Sequence, residues 1–299
     1  MKTFRIVGFI TIFIITLILN LHYVYAQSVT FRFAPPDGYK EMQTTDSTIE
    51  LYVDGEKKIT DTNTSKTEIT YRKTANGYKV INKLVSVDAK RNGDKITSPV
   101  NDVLTGREVS FNLDNQGNIT NIEGYDTLLQ EINKVVDPKM QAVFTRILDP
   151  ELLKQKTTTE WSGRVSDFVG KTVKEGDKWA SVSSYRLRNN VLKYLISTNF
   201  TKVSPESVSI DFNYTSDKNS AAKILKSLSS EVASKIQITD FNDKEANLSG
   251  SGHRVLDPRT MLIKEEQISR SITADVATQD GKVHNTKRTE SRIYKFDKL

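Results

Sequence analysis

The sequence predicts a mainly β, α+β protein: a large curved antiparallel sheet, an unclosed half-barrel, packed on a central helical block and a second helix. Three observations predict it. Alternating apolar and polar residues recur in run after run on both sides of the chain's middle, the period-2 pattern of strands with one buried face. Hairpin-turn residues stand between the runs, at Asn76-Gly77, Arg91-Asn92-Gly93-Asp94 and Asp280-Gly281, where positive φ is tolerated. Long helical spacing appears in only two places, Tyr125 to Gly170 and Ser220–Ser234.

The first half reads as an antiparallel meander. Val29–Phe33 alternates, Thr48–Lys58 carries Ile49, Leu51 and Val53 on one face before Asp54-Gly55, and Thr67–Arg72 with Tyr78–Val87 flank Asn76-Gly77. Pro35-Pro36-Asp37-Gly38 is a turn or a kinked edge, because proline cannot donate to a ladder. Gly106 to Gly124 then gives two short strands, Val109–Asp114 and Asn118–Glu123, folded on Asn115-Gln116-Gly117. Asp114, Asn115 and Asn118 lack the EF-hand spacing and its terminal bidentate Glu, so a plain turn is expected rather than a calcium loop.

The pattern changes at Tyr125. Leu128, Leu129, Ile132 and Val135 share a helical face, and Pro138 opens a second helix with Met140, Val143, Phe144, Ile147 and Leu148 on one side. Asp149-Pro150 ends it and caps a third, Glu151–Lys156. Trp161, Val165, Phe168 and Val169 continue, irregular or helical, to Gly170. Strands return at Trp179–Leu187, Val191–Thr201 and Ser207–Tyr214. After the Ser220 helix come Ile236–Phe241, Leu248–Leu256, Met261–Ala277 and Lys282–Phe296. A looser copy of the first hairpin phrase lies at Ser251–Gln267, with Asp257 matching Asp114. The body, 27–299, is therefore read as one β-rich domain, with two pseudo-repeated halves (27–124 and 173–299) joined by the helical segment 125–170.

Residues 1–26 read as a signal peptide: Lys2 and Arg5, an apolar run from Ile6 to Leu21, and small or medium residues ending at Ala26. The expectation is an exported protein, periplasmic or secreted after cleavage near Ala26; an uncleaved N-terminal anchor is the alternative. No later stretch reaches the roughly 20 apolar residues of a spanning helix. The chain has no cysteine, which removes disulfides, thiolate catalysis, zinc-thiolate sites and lipidation at the cleavage site. The formal charge is +6, and removing residues 1–26 leaves 41 basic against 37 acidic residues, interspersed throughout. No basic stripe with interleaved aromatics appears, so nucleic acid is not an expected partner.

Little local chemistry is written in the chain. His253 and His284, the histidines beyond residue 26, lie in no ligand or nucleophile motif, and no glycine-rich phosphate loop is present. Glu265 and Glu266 fall on opposite faces of a strand, which disfavours a paired-carboxylate device. Neither a metal, a cofactor nor catalysis is expected. Trp161 and Trp179 read either as core or as the wall of an apolar site.

Three phrases carry a family resemblance: Val109–Gly124, Val173–Trp179 (VKEGDKW) and Gly252–Ile263 with Asp257. They resemble a poorly characterised family of bacterial exported proteins and lipoproteins. That family is similar in outline to the lipoprotein-localisation carriers and the related mycobacterial lipid-binding lipoproteins. The resemblance spans roughly residues 28–298 and implies a curved, unclosed antiparallel sheet wrapped over helices, with no catalytic residues to carry over. This chain departs from most such members in lacking the lipidated Cys. The resulting expectation is an exported envelope protein that binds or carries a hydrophobic small molecule or lipid between sheet and helices. Leu128, Ile132, Val143, Phe144, Trp161 and Phe168 are the expected lining. The alternative is a structural or interaction protein with a filled core, working through an envelope protein partner.

Overall fold

Two-residue turns set the register of the first half. Asp54 and Gly55 both take positive φ (51° and 83°), as do Asn92 and Gly93 (51° and 93°), the conformation whose twist matches paired strands. They close β2 (Lys40–Val53) onto β3 (Glu56–Thr74), and β4 (Gly77–Arg91) onto the short β5 (Asp94–Ile96). In the computed structural model residues 28–187, 190–217, 238–278 and 282–299 are described. The expected signal peptide, the Ser220–Ser234 helix and the Asp280-Gly281 turn lie outside them.

The main sheet has 12 strands, all antiparallel in their pairings. The remaining strands are β6 (Glu108–Leu113), β7 (Ile119–Glu123), β9 (Lys178–Leu187), β10 (Asn190–Ser204), β11 (Ser207–Ser216), β12 (Ile238–Leu256), β13 (Ile263–Thr278) and β14 (Val283–Lys298). Their order is β7-β6-β4-β3-β2-β14-β13-β12-β11-β10-β9, with β5 appended to β4. The β2–β14 pairing joins the two halves into one continuous sheet, and β7 and β9 remain as edges, so the sheet is unclosed as the sequence predicts. A separate two-stranded ribbon pairs β1 (Ser28–Thr30) with β8 (Thr172–Lys174).

Among the described residues, one short helix lies within the first half and three lie between the halves. Helix α1 (Pro99–Leu104) was not foreseen, because six residues are too few to show a helical period. Helices α2 (Tyr125–Val135), α3 (Pro138–Ile147) and α4 (Pro150–Trp161) follow the expected boundaries, except that α4 runs past Lys156. Asp149 caps α4 through Oδ1, which accepts from the Glu151 and Leu152 amides at 2.9 and 3.0 Å. The helix then widens into a π turn, Ser162–Ser166, of the kind that re-aims side chains within a helix.

Several strands are longer than their apolar patterns. β2 starts at Lys40 rather than Thr48, because Lys40–Thr48 is polar on both faces and gives no alternation to read. One packed aromatic group comprises Phe31, Phe168, Trp179 and Phe200, with ring centroids 4.6–6.3 Å apart. There the β1–β8 ribbon and the segment after the π turn press onto β9 and β10.

Candidate functional site

The inner face of the sheet is built from rows of directly opposed residues. Phe111, Val80 and Tyr71 form one row across β6, β4 and β3. Val109, Asn82, Ile69 and Glu41 form the next, and Leu84, Thr67, Gln43 and Phe296 the third. Each of these residues borders a cavity of about 380 Å³. The opposite wall comes from the helices: Tyr125 and Leu128 on α2, Thr157, Glu160 and Trp161 on α4, Arg164 and Val165 on the π turn. The size falls within the ~300–1,000 Å³ range of small-molecule sites, and the wall mixes apolar side chains with polar ones.

Hydrogen bonds hold the helical wall in place. Trp161 Nε1 donates to the Gly117 carbonyl at 2.7 Å, and Ser166 Oγ donates to the same oxygen at 2.8 Å. Gly117 sits at the tip of the β6–β7 hairpin with φ 79°, where a Cβ would stand 3.3 Å from Val165 Cγ1. The Trp161 ring meets Phe111 and Phe33 edge-on, at 4.9 and 5.6 Å. The Tyr125 and Thr157 hydroxyls lie 2.6 Å apart and tie α2 to α4.

The hairpin and its looser copy share more than sequence. Asp114 Oδ1 accepts the Gln116 and Asn118 amides, each at 2.8 Å, and Asp257 Oδ1 accepts the Arg259 amide at 2.8 Å. Both are aspartate-capped turns. The segment just after β1 touches both: Phe33 packs near Gly117, and the Arg32 amide donates to Pro258 O at 2.8 Å.

A buried charge cluster pins the π turn to the second half of the sheet. Arg254 and Glu266 face one another across β12 and β13, in a row that continues through Tyr294. Glu266 has no exposed surface. Its Oε1 accepts from Arg254 Nε and Nη2 at 2.8 and 2.5 Å, and its Oε2 accepts from Arg164 Nη2 at 2.5 Å. Arg254 Nη1 reaches the Gly163 carbonyl at 3.1 Å, and the Arg164 guanidinium lies 5.0 Å from the Tyr294 ring centre. Burial pushes the Glu266 carboxyl up, but the two guanidiniums outweigh it and hold it below the ordinary carboxylate range. Arg164 also borders a second, more polar cavity of about 500 Å³ on the other side of α4. There Gly250 and Gly252 leave room for Tyr214 and Phe212 to lie across β12.

Glu41 is the unusual wall residue. It is 2 % exposed, and Tyr71 Oη donates to its Oε1 at 3.1 Å. Burial raises its carboxyl to about 7, against the opposing pull of the Tyr71 and Tyr39 hydroxyls. Among the described residues no basic side chain pairs with it.

Of the residues expected to line a ligand site, Leu128 and Trp161 border this cavity. Ile132 is fully buried one helical turn further along α2, off the cavity wall. Phe144 is half-buried on α3 and also off the wall. Phe168 belongs to the packed aromatic group with Phe31 and Phe200. Val143 falls in α3, and its side chain lies outside the described residues. Glu41, Tyr71, Tyr125 and Arg164 were not foreseen. Glu265 and Glu266 do take opposite faces, exposed and buried, as strand alternation requires. His253 is an ordinary strand histidine, its Nδ1 2.6 Å from Asp211 Oδ1.

A family model described as a family of unknown function (DUF6263) matches residues 62–239. Among curated proteins no significant match is found. Among solved structures the chain is similar to lipovitellin, in a structure described for its lipid–protein interactions, at 12% identity and a TM-score of 0.48. That match covers 89% of this chain but only 25% of lipovitellin. The β domain of the Bordetella autotransporter BrkA matches at 10% identity, 87% and 99% coverage and a TM-score of 0.29. Pseudomonas aeruginosa OpdQ matches at 6% identity, 89% and 100% coverage and a TM-score of 0.22.

Proposed function

We propose that this chain, which belongs to the DUF6263 family of unknown function, is an exported envelope protein that binds an apolar, lipid-like molecule between its sheet and its helices. The observation that carries the proposal is the 380 Å³ cavity itself. Phe33, Ile69, Val80, Phe111, Leu128 and Met261 give it an apolar surface, and burying such surface is the main driving force for taking up an apolar guest. Of its polar groups, Tyr71 bonds Glu41 and Tyr125 bonds Thr157 within the wall, while Arg107 and Arg164 hold carboxylates off it; polar groups set in an apolar wall orient a guest. The role is binding without turnover. Export rests on the basic and apolar character of residues 1–26, and the carrier role agrees with the resemblance to lipoprotein-localisation carriers.

Native mass spectrometry of the purified full chain tests it. The expected result is a species heavier than the polypeptide by the mass of one lipid-sized molecule, exchangeable for an added acyl probe. A chain that emerges unloaded and takes up no acyl probe ends the carrier reading and leaves the envelope interaction protein.

A further inference from the structure

The cavity wall carries its charges unevenly. Each of its two guanidiniums already holds a carboxylate that lies off the wall: Arg164 with Glu266 at 2.5 Å, and Arg107 with Glu131 at 3.5 Å. Its two carboxylates, Glu41 and Glu160, form no ion pair with any described residue. Glu160 is exposed, so water solvates it. Glu41 is not: it lies in the middle row of the floor between Ile69 and the end of β14, with the Tyr71 hydroxyl on Oε1 and the Tyr39 hydroxyl as its second donor. A carboxylate has about four acceptor positions, and leaving a buried charge with so few partners is costly unless something else meets it.

We propose that Glu41 receives the head group of an amphiphile whose tail fills the cavity, and that this head group is a protonated amine; the proposal rests on the reading of the cavity as an apolar-ligand site. An ammonium supplies both the donors and the positive charge that the wall lacks. An alcohol supplies donors only. A carboxylate or phosphate head would bring a second negative charge against Glu41 and Glu160, and both wall arginines are already engaged. The charged and titratable groups around Glu41 are Tyr71 on β3, Tyr39 just before β2, and Lys298 opposite it on β14. Glu160 and Arg164 stand on the helical wall, and Arg107 follows α1. Burial keeps the Tyr71 hydroxyl well above its ordinary range, so it stays a donor. Burial likewise holds Glu41 at about 7, so this carboxyl gains its charge across neutral pH.

The test is a titration of the full chain with dodecylamine, dodecanol and dodecanoic acid, read from tryptophan emission, at pH 8.5. It is run on the protein and on Glu41→Gln, and repeated on the unaltered protein at pH 5.5. At pH 8.5 the amine is expected to bind roughly tenfold or more tightly than the alcohol, the size of one hydrogen bond to a charged group. The amine-to-alcohol ratio falls to about one in Glu41→Gln, and falls in the unaltered protein at pH 5.5, an arm that needs no variant to fold. Amine binding no tighter than alcohol at pH 8.5 overturns the proposal, as does a ratio that persists in Glu41→Gln or tightest binding of the acid. If none of the probes binds, the cavity reading itself fails. If the alcohol binds and the amine gains nothing, only the head-group assignment fails.

Discussion

Replacing Glu41 with glutamine is expected to stabilise the protein, and only on the alkaline side. Burial lifts this carboxyl from an ordinary 4.5 to about 7 in the folded chain. Below pH 4.5 it is protonated folded and unfolded alike. Between 4.5 and 7 the folded chain keeps a proton that the unfolded chain releases, so stability falls as pH rises through that window. Above it the folded protein carries the buried charge at full cost. At about 1.4 kcal/mol per pH unit the rise is worth about 3 kcal/mol. Glutamine keeps the shape and never ionises. Glu41→Gln should therefore match the unaltered protein at pH 4.5 and exceed it by about 3 kcal/mol at pH 8. With a urea slope of about 3 kcal/mol per molar, the pH 8 midpoint moves up by about 1 M. Urea unfolding of both proteins at both pH values measures the double difference, in which every other titrating group cancels. An equal offset at the two pH values, or a less stable variant at pH 8, refutes the reasoning.

The remaining expectations concern the packing that frames the cavity. Glu266→Gln leaves Arg164 and Arg254 facing each other in the interior without their shared carboxylate, and should cost about 3–5 kcal/mol near pH 7, read from chemical unfolding. Because Glu266 is held below its ordinary range, its stabilisation is present above about pH 4.5 and fades as pH drops further. Trp161→Phe removes one of the two donors to Gly117 O, Ser166 Oγ remaining, and should cost about 0.5–1.5 kcal/mol by the same assay. Gly252→Ala places a Cβ 2.2 Å from Phe212 Cζ and 2.6 Å from Gln267 O. That overpacking should cost about 1–3 kcal/mol, and near-ultraviolet circular dichroism should report the displaced ring.

The fold was legible where local chemistry specified it. Asp54-Gly55 and Asn92-Gly93 announce their hairpins because few other residues accept both positive φ angles. The α2 stripe of Leu128 and Ile132 and the Asp149-Pro150 boundary are equally plain. What the sequence hid is non-local. The polar stretch Lys40–Thr48 becomes strand because β3 and β14 hydrogen-bond it on both sides, not because of its own pattern. Glu41 lies within that stretch and looks like any solvated acid until Ile69 and the helices cover it. Glu266 was read only as opposite in face to Glu265; its partner Arg164 is 102 residues away, and no local spacing links them. Trp161 reads as core or wall, and Phe168 as wall. The structure puts one on each side of the π turn, with Trp161 on the cavity and Phe168 in the aromatic core.

The most direct test of the occupied cavity is anomalous diffraction from crystals of the full chain grown with 12-bromododecanol. A bromine peak between the α4 segment carrying Trp161 and the floor row of Phe111, Val80 and Tyr71 is the result expected. Peaks confined to the outer face of the sheet, or an empty cavity at saturating probe, would contradict it.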